Sequence, residues 1–258
     1  MNTSAPPELA RPPELAGENE LDYLRLRQFP LPGQGLEFDE TYRYAHLPLV
    51  APAHPDVIAQ HPERGYVMGR HANVRSLVVP VAWAALSAAP AFQELMAVMQ
   101  AGPLADVIAW PVMEQRKERL HATICGNLPL DDALPAQARA TLAALGPIRI
   151  DLRGLFSGNL NTGRLYLRLY PEKRGGVNVL HAVQDAVQRP RSGLYVVGLF
   201  NLTDRLTPAQ GDWLAGLLRS WWTRSILQLD VSALWLLDAR DDLVLDGEIV
   251  ERVPLQSL

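Results

Sequence analysis

The sequence predicts an α+β protein in which strand-like and helix-like segments alternate and then close on a hairpin. Three observations carry this. Several short segments alternate apolar and polar residues with a period of two, as half-buried strands do. Between them lie stretches with apolar residues at helical spacing, punctuated by Pro, Gly and Thr-Pro signals. The resulting order, β-α-β-α-β-β-α-β-α-β plus a terminal hairpin, falls into two similar halves, one around His121 and one around Gly193.

Residues 1–20 repeat a Pro-Pro-Glu-Leu-Ala unit (Pro6 to Ala10, Pro12 to Ala16) and read as a Pro/Glu-rich disordered tail that can bury little. Residues 21–72 contain Pro, Tyr and His without a clear period and are expected to wrap over a main domain spanning 73–258. The first strand is placed at 74–83, with Leu77, Val79, Val81 and Trp83 on one face. A helix over 90–110 breaks near Gly102-Pro103, and the His121 strand follows. Residues 131–145 read as helix, stopped by Gly146-Pro147. Strands at 148–157 and 164–170 flank a turn at 158–163. Gly175-Gly176 precedes a helix reaching about Gln188, and 193–202 forms another strand. Thr207-Pro208 is an N-cap and first-turn pair. The helix it opens places Trp213, Leu214, Leu217, Leu218, Trp221 and Trp222 on one stripe, which reads as core. A strand at 226–237 and a segment at 243–253 turning about Asp246-Gly247 complete the chain.

The 258 residues are 48% hydrophobic and 20% charged, ample for one sizeable core. A net charge of −4 argues against a double-stranded DNA binder, which would carry a basic field. Lys117 and Lys173 are the only lysines, so 22 of the 24 cations are Arg. The guanidinium fork suits phosphate recognition, although GC-rich codon usage produces the same skew. Cys125 stands alone, which rules out an intrachain disulfide and disfavours a cysteine zinc site. With neither an apolar leader nor a run long enough to span a bilayer, the expected location is cytoplasmic, away from membranes.

The chemistry concentrates at His121-Ala122-Thr123-Ile124. On a strand, side chains two apart share a face. His121, Thr123, Cys125 and Asn127 therefore line one side, and Leu120, Ala122, Ile124 and Gly126 the other. An imidazole and a hydroxyl aimed the same way can hold a phosphate oxygen. With the surrounding element order, this resembles half of the site of the two-histidine phosphoesterases, the 2′–5′ RNA ligase-like superfamily, over residues 73–253. The resemblance implies a bilobal fold: two antiparallel sheets form a concave cleft, helices lie outside, and an H-x-[T/S] strand comes from each lobe. It implies metal-independent acid–base cleavage of 2′,3′-cyclic or 2′–5′ phosphodiesters, without a cofactor and with a nucleotide or RNA end as ligand. His121 would be a general acid or base and Thr123 a phosphate-binding hydroxyl.

The second motif should lie near Leu194-Tyr195-Val196-Val197-Gly198. Aligning Tyr195 with His121 and Val197 with Thr123 leaves neither family role filled, since a phenol of pKa about 10 is a poor base. Tyr195 is then at most a second acid. The alternating Arg164, Tyr166, Arg168 and Tyr170, with Arg149, Asp151 and Arg153 on the paired strand, could form a basic, aromatic platform for phosphate and base, or simply the solvated side of a half-buried sheet. Expected site residues are thus His121, Thr123 and Tyr195, with Arg153, Arg164, Tyr166, Arg168 and Tyr170 around the substrate. His181 reads as a helix histidine, and His46, His54, His61 and His71 as solvated residues of the extension. Cys125 faces the cleft as an inert thiol. The alternatives are a catalytically inactive nucleotide- or RNA-end-binding module and a protein-interaction scaffold on the same fold.

Overall fold

Residues 13–130 and 133–256 are described by a computed structural model of the chain. In order, the elements are α1 (Tyr23–Leu26), α2 (Glu40–Ala45), α3 (Leu47–Val50), β1 (Gln60–His61), β2 (Tyr66–Val67) and β3 (Arg70–Pro80). Next come α4 (Trp83–Ala88), α5 (Pro90–Ala101), α6 (Trp110–Arg116), β4 (His121–Leu128), α7 (Ala136–Leu145), β5 (Ile148–Phe156) and β6 (Arg164–Pro171). The chain closes with β7 (Lys173–Arg174), β8 (Val177–Asn178), α8 (Val179–Ala186), β9 (Val196–Asn201), α9 (Pro208–Trp221), β10 (Ser225–Val231), β11 (Ala233–Asp241) and β12 (Gly247–Pro254). The fold is α+β, as expected. Among the described residues no helix is long and apolar enough to cross a membrane.

The sheet is antiparallel throughout and has two four-stranded wings. One runs β12-β11-β3-β4 and the other β9-β6-β5-β10. Two separate sheets were expected; instead β4 and β9 join the wings into one sheet through a single pair, Ala122 opposite Val197. Beyond that pair the two strands diverge. The carbonyl of Ile124, freed of a strand partner there, accepts from Gln184 Nε2 on α8 at 3.0 Å, as a buried backbone acceptor requires.

The strand at 226–237 is in fact two. Ser232 separates β10, which pairs with β5, from β11, which crosses to pair with β3 and β12. The run is apolar on both sides of the break, so periodicity hides it. The closing hairpin therefore pairs 233–239 with 247–254, and Gly247 begins a strand rather than sitting inside a turn. Trp83 opens α4 instead of ending β3. Helix α7 begins at Ala136, and the expected start at Asp131 lies outside the described residues. Helix α9 has the expected cap: Thr207 and Gln210 form a reciprocal capping box, and Leu214, Leu218 and Trp221 are buried.

The N-terminal segments are part of the core. Tyr23 and Tyr42 are fully buried; the Tyr23 hydroxyl donates toward the carbonyls of Leu169 (2.6 Å) and Tyr195 (2.8 Å) and accepts from Leu169 N at 3.1 Å. From residue 13 the expected tail is also bound: Ala16 N donates to Pro171 O at 2.8 Å, and Glu18 reaches Arg168 at 2.9 Å. The first Pro-Pro-Glu unit lies outside the described residues.

Candidate functional site

Strand β4 presents the alternation read from its sequence. Leu120, Ala122 and Ile124 are buried, while Thr123 is exposed and His121 and Cys125 are half-buried on the opposite face. Where β4 and β9 part, that face forms one wall of a cavity of about 700 Å³. Its lining is mixed: His121, Thr123, Asn127, Arg116, Arg164 and Asp242 among the polar residues, and Leu26, Phe156, Leu160 and Leu194 among the apolar ones.

His121 Nδ1 lies 2.7 Å from the carbonyl of Arg119. A carbonyl only accepts, so the neutral ring carries its proton on Nδ1 and offers Nε2 as a lone pair. Burial, with the charges of Arg116 and Arg164 nearby, pulls this histidine down to about 4. At neutral pH it is a base. Cys125 is pushed up to about 11 by burial and stays a thiol. No three His, Cys, Asp or Glu side chains among the described residues converge as metal ligands.

Facing β4, strand β9 places Val196 and Gly198 on the cavity wall. The expected alignment was out of phase by one residue. Directly opposed strand residues share a face, so the Ala122–Val197 pair sends Val197 toward the core and with it Tyr195. Tyr195 is fully buried, its hydroxyl donates to Ser192 O at 2.5 Å, and burial pushes it up to about 12. It does not line the cavity.

Two arginines stand against the β9 wall at Gly198. A Cβ at Gly198 would collide with the guanidinium of Arg164, which lies flat across that glycine. Arg116, only 2% exposed, donates from Nη1 to Gly198 O (3.1 Å) and from Nε to Leu243 O (2.5 Å). Arg164 donates from Nη1 to the Asp242 carbonyl at 3.0 Å, lies over the Tyr166 ring, and keeps Nε buried without a partner. Among the described residues neither guanidinium forms an ion pair: every protein acceptor they touch is a neutral carbonyl. Burial and the Arg164 charge pull Arg116 down to about 9, against the opposing charge of Asp241 nearby.

No protein-family model matches the chain, and no curated protein sequence does. Among solved structures, the crystal structure of TT0787 of Thermus thermophilus is similar over 71% of this chain and 98% of that one, at 13% identity and a TM-score of 0.41.

The expected platform is divided. Arg164 and Tyr166 line the cavity, but Arg168, Tyr170 and Arg153 do not. Residues 13–27 cover that end of the face. Arg168, fully buried, lies 3.6 Å from the Trp222 ring centroid and pairs with Glu18, and Tyr170 bonds the same carboxylate. Arg153 pairs with Asp151 at 2.8 Å and sits over Tyr170. The site also contains residues not anticipated. Arg116 ends a short helix, and Asp242 lies in the β11–β12 turn, so neither carries a local signal. Gly198 does: a glycine inside a strand often marks the close approach of another group.

Proposed function

We propose that the cleft binds a nucleotide-type phosphate ester on a two-histidine-phosphoesterase-like frame whose second motif has been replaced by an arginine pair. The observation that carries this reading is the pair itself. Arg116 and Arg164 are buried beside His121 and Thr123 with only neutral acceptors. Burying a charge without a bonded counter-ion costs several kcal/mol in effective terms; Asp241 opposes this only at a distance, which leaves room for an incoming anion to gain. Two guanidinium forks favour a phosphate over a halide or a single carboxylate because of their planar donor geometry. Thr123 adds a hydroxyl donor, and the apolar lining residues Leu26, Phe156, Leu160 and Leu194 suit the face of a base.

A second reading, cleavage of 2′,3′-cyclic or 2′–5′ phosphodiesters without a metal, is favoured by the His121 tautomer. Nε2 is a lone pair with no hydrogen-bond partner among the described residues, beside the two guanidinium groups. A bound phosphate would also raise this histidine from about 4 toward neutrality. With Val196 in the second histidine's place, no side chain there protonates the leaving oxygen. Turnover would then be about 10²–10⁴-fold below that of a site with both groups.

Thermal stability in the presence of 2′-AMP, 3′-AMP and 2′,3′-cyclic AMP tests the binding. At least one should raise Tm, because a ligand that binds only the folded state must stabilise it, and Arg164→Met should abolish the shift. If no nucleotide shifts Tm, the reading fails. Metal-free hydrolysis of the cyclic nucleotide, lost in His121→Ala, would establish the second reading.

A further inference from the structure

A third cation faces the same cavity. Among the described lining residues the cations are Arg116, Arg164 and Arg189, and Asp242 is the single carboxylate. Both Asp242 oxygens are already engaged, Oδ1 with His71 Nε2 at 3.3 Å and Oδ2 with the Tyr66 hydroxyl at 3.0 Å. The Arg189 guanidinium makes no hydrogen bond, ion pair or ring contact among the described residues. Arg191, two residues on, does not line the cavity and is paired at the surface with Asp185.

The fold fixes the loop that carries Arg189. The chain leaves α8 through Gln188 in the left-handed conformation (φ 55°), and Arg189 N donates to the Gln184 carbonyl at 2.9 Å. Gln184 is fully buried. Its Nε2 bonds both the Ile124 carbonyl, where β4 leaves β9, and Ser192 Oγ, each at 3.0 Å, and its Oε1 accepts from Ser192 N at 3.3 Å. One amide thereby fastens the loop to the strand that walls the cavity. Ser192 Oγ accepts in this arrangement, so its own O–H is left to donate, and Ser192 lines the cavity with Arg189. An arginine and a hydroxyl are also what Arg164 and Thr123 supply.

The two donor sets stand apart along β4. Burial is the main influence on both His121 and Cys125, but the charges that reach them differ: Arg116 and Arg164 act on His121, and Arg189 acts on Cys125. These positions are four residues apart on one face, about 13 Å at the rise of an extended strand. A single phosphate group does not span that distance.

We infer that Arg189 and Ser192 form a second anion subsite and that the ligand is a nucleoside bisphosphate, with one phosphate at Arg116, Arg164 and Thr123 and a terminal phosphate at Arg189. The inference rests on the phosphate-binding reading above. A phosphate monoester carries a charge of about −1.5 to −2 at neutral pH, enough to answer Arg116 and Arg164 while leaving Arg189 without a partner. A second monoester on the same nucleoside answers Arg189 and keeps the sugar and base against Leu26, Phe156 and Leu194. A cyclic phosphate, or a diester without a terminal phosphate, has no group to place there.

The test compares 3′-AMP with adenosine 3′,5′-bisphosphate and 2′,5′-bisphosphate by calorimetry on the full chain, in wild type, Arg189→Gln and Arg191→Gln. Neither side chain bonds into the core, and an unchanged Tm without ligand checks that each variant folds. At least one bisphosphate should bind wild type about tenfold or more tightly than 3′-AMP, a difference of about 1.4 kcal/mol. Arg189→Gln should reduce its affinity to that of 3′-AMP, and Arg191→Gln should preserve the advantage. Equal affinities for mono- and bisphosphates in wild type would overturn the inference while the phosphate-binding reading stands. So would an advantage that survives Arg189→Gln, or one lost equally in Arg191→Gln, which would mark a general surface field. Absence of binding by every probe would overturn both.

Discussion

At the scale of single residues, the site turns on Gly198. It can only be glycine while Arg164 lies across it, and the guanidinium is the flexible end of a long side chain, so the two positions are coupled without being rigid. Gly198→Ala should therefore displace Arg164 rather than unfold the protein. The expected outcome is a Tm close to wild type with the nucleotide-induced Tm shift lost; a shift that persists would mean Arg164 is not a ligand. His121 and Thr123 were legible from the chain because a period of two is a local property. Tyr195 was misplaced by one residue because both phases of Leu194-Tyr195-Val196-Val197 are apolar, and only the partner strand's register chooses between them.

At the scale of elements, the informative segment is α1 and its flanks, which lack any period and so looked like a wrapper. Tyr23 bridges β6 and the chain entering β9 by satisfying two carbonyls and one N–H. Tyr23→Phe removes that hydroxyl; Leu169 N keeps its 2.9 Å bond to the Tyr195 carbonyl, so the loss falls mainly on the bond to the buried Leu169 carbonyl, with an expected cost of about 1–3 kcal/mol. Chemical denaturation should show a lower midpoint with an unchanged m-value; no change in midpoint would mean that water replaces the hydroxyl. The same segment helps explain why the basic face of β6 is split: Glu18 and Tyr23, together with Trp222 after α9, cover Arg168, while Arg164, four residues earlier, remains at the cavity. Alternation correctly put Arg164, Tyr166, Arg168 and Tyr170 on one face. It carries no information on what lies over that face.

At the scale of the molecule, stability should depend on pH through buried histidines. His46 is fully buried between α2 and α3 with neither ring nitrogen bonded among the described residues, and burial together with Arg164 pushes it down to about 3. A depressed folded pKa means the unfolded chain takes up the proton first. The contribution is therefore complete above about 6.5 and is lost as pH falls toward about 3, and His121 adds to it down to about 4. His71 acts in the opposite sense. Its hydrogen bond to Asp242 raises it, so its contribution is full below about 6.5 and fades as pH climbs through the raised value. Burial alone would raise the Asp242 carboxyl, but the bonds from His71 and Tyr66 hold it at about 2, so its contribution fails only in strong acid. Urea midpoints should fall steadily from about pH 6.5 to about 4. His46→Phe, which removes two unbonded polar atoms from the core, should flatten that slope while keeping or raising stability at neutral pH. An unchanged slope would show that His46 is protonated in the folded state.

Local periodicity was enough to reveal the α+β order, the long helices with their caps, and the face on which His121 and Thr123 stand, because each depends on neighbours a few residues apart. The break at Ser232, the single pair joining the two wings, and the meeting of Arg116, Arg164 and Asp242 depend on which distant segments come together. The cavity exists because β4 and β9 part after one pair, and two arginines occupy it because long-range packing left a glycine opposite them. Alternation within a strand limits such contacts but does not select among them.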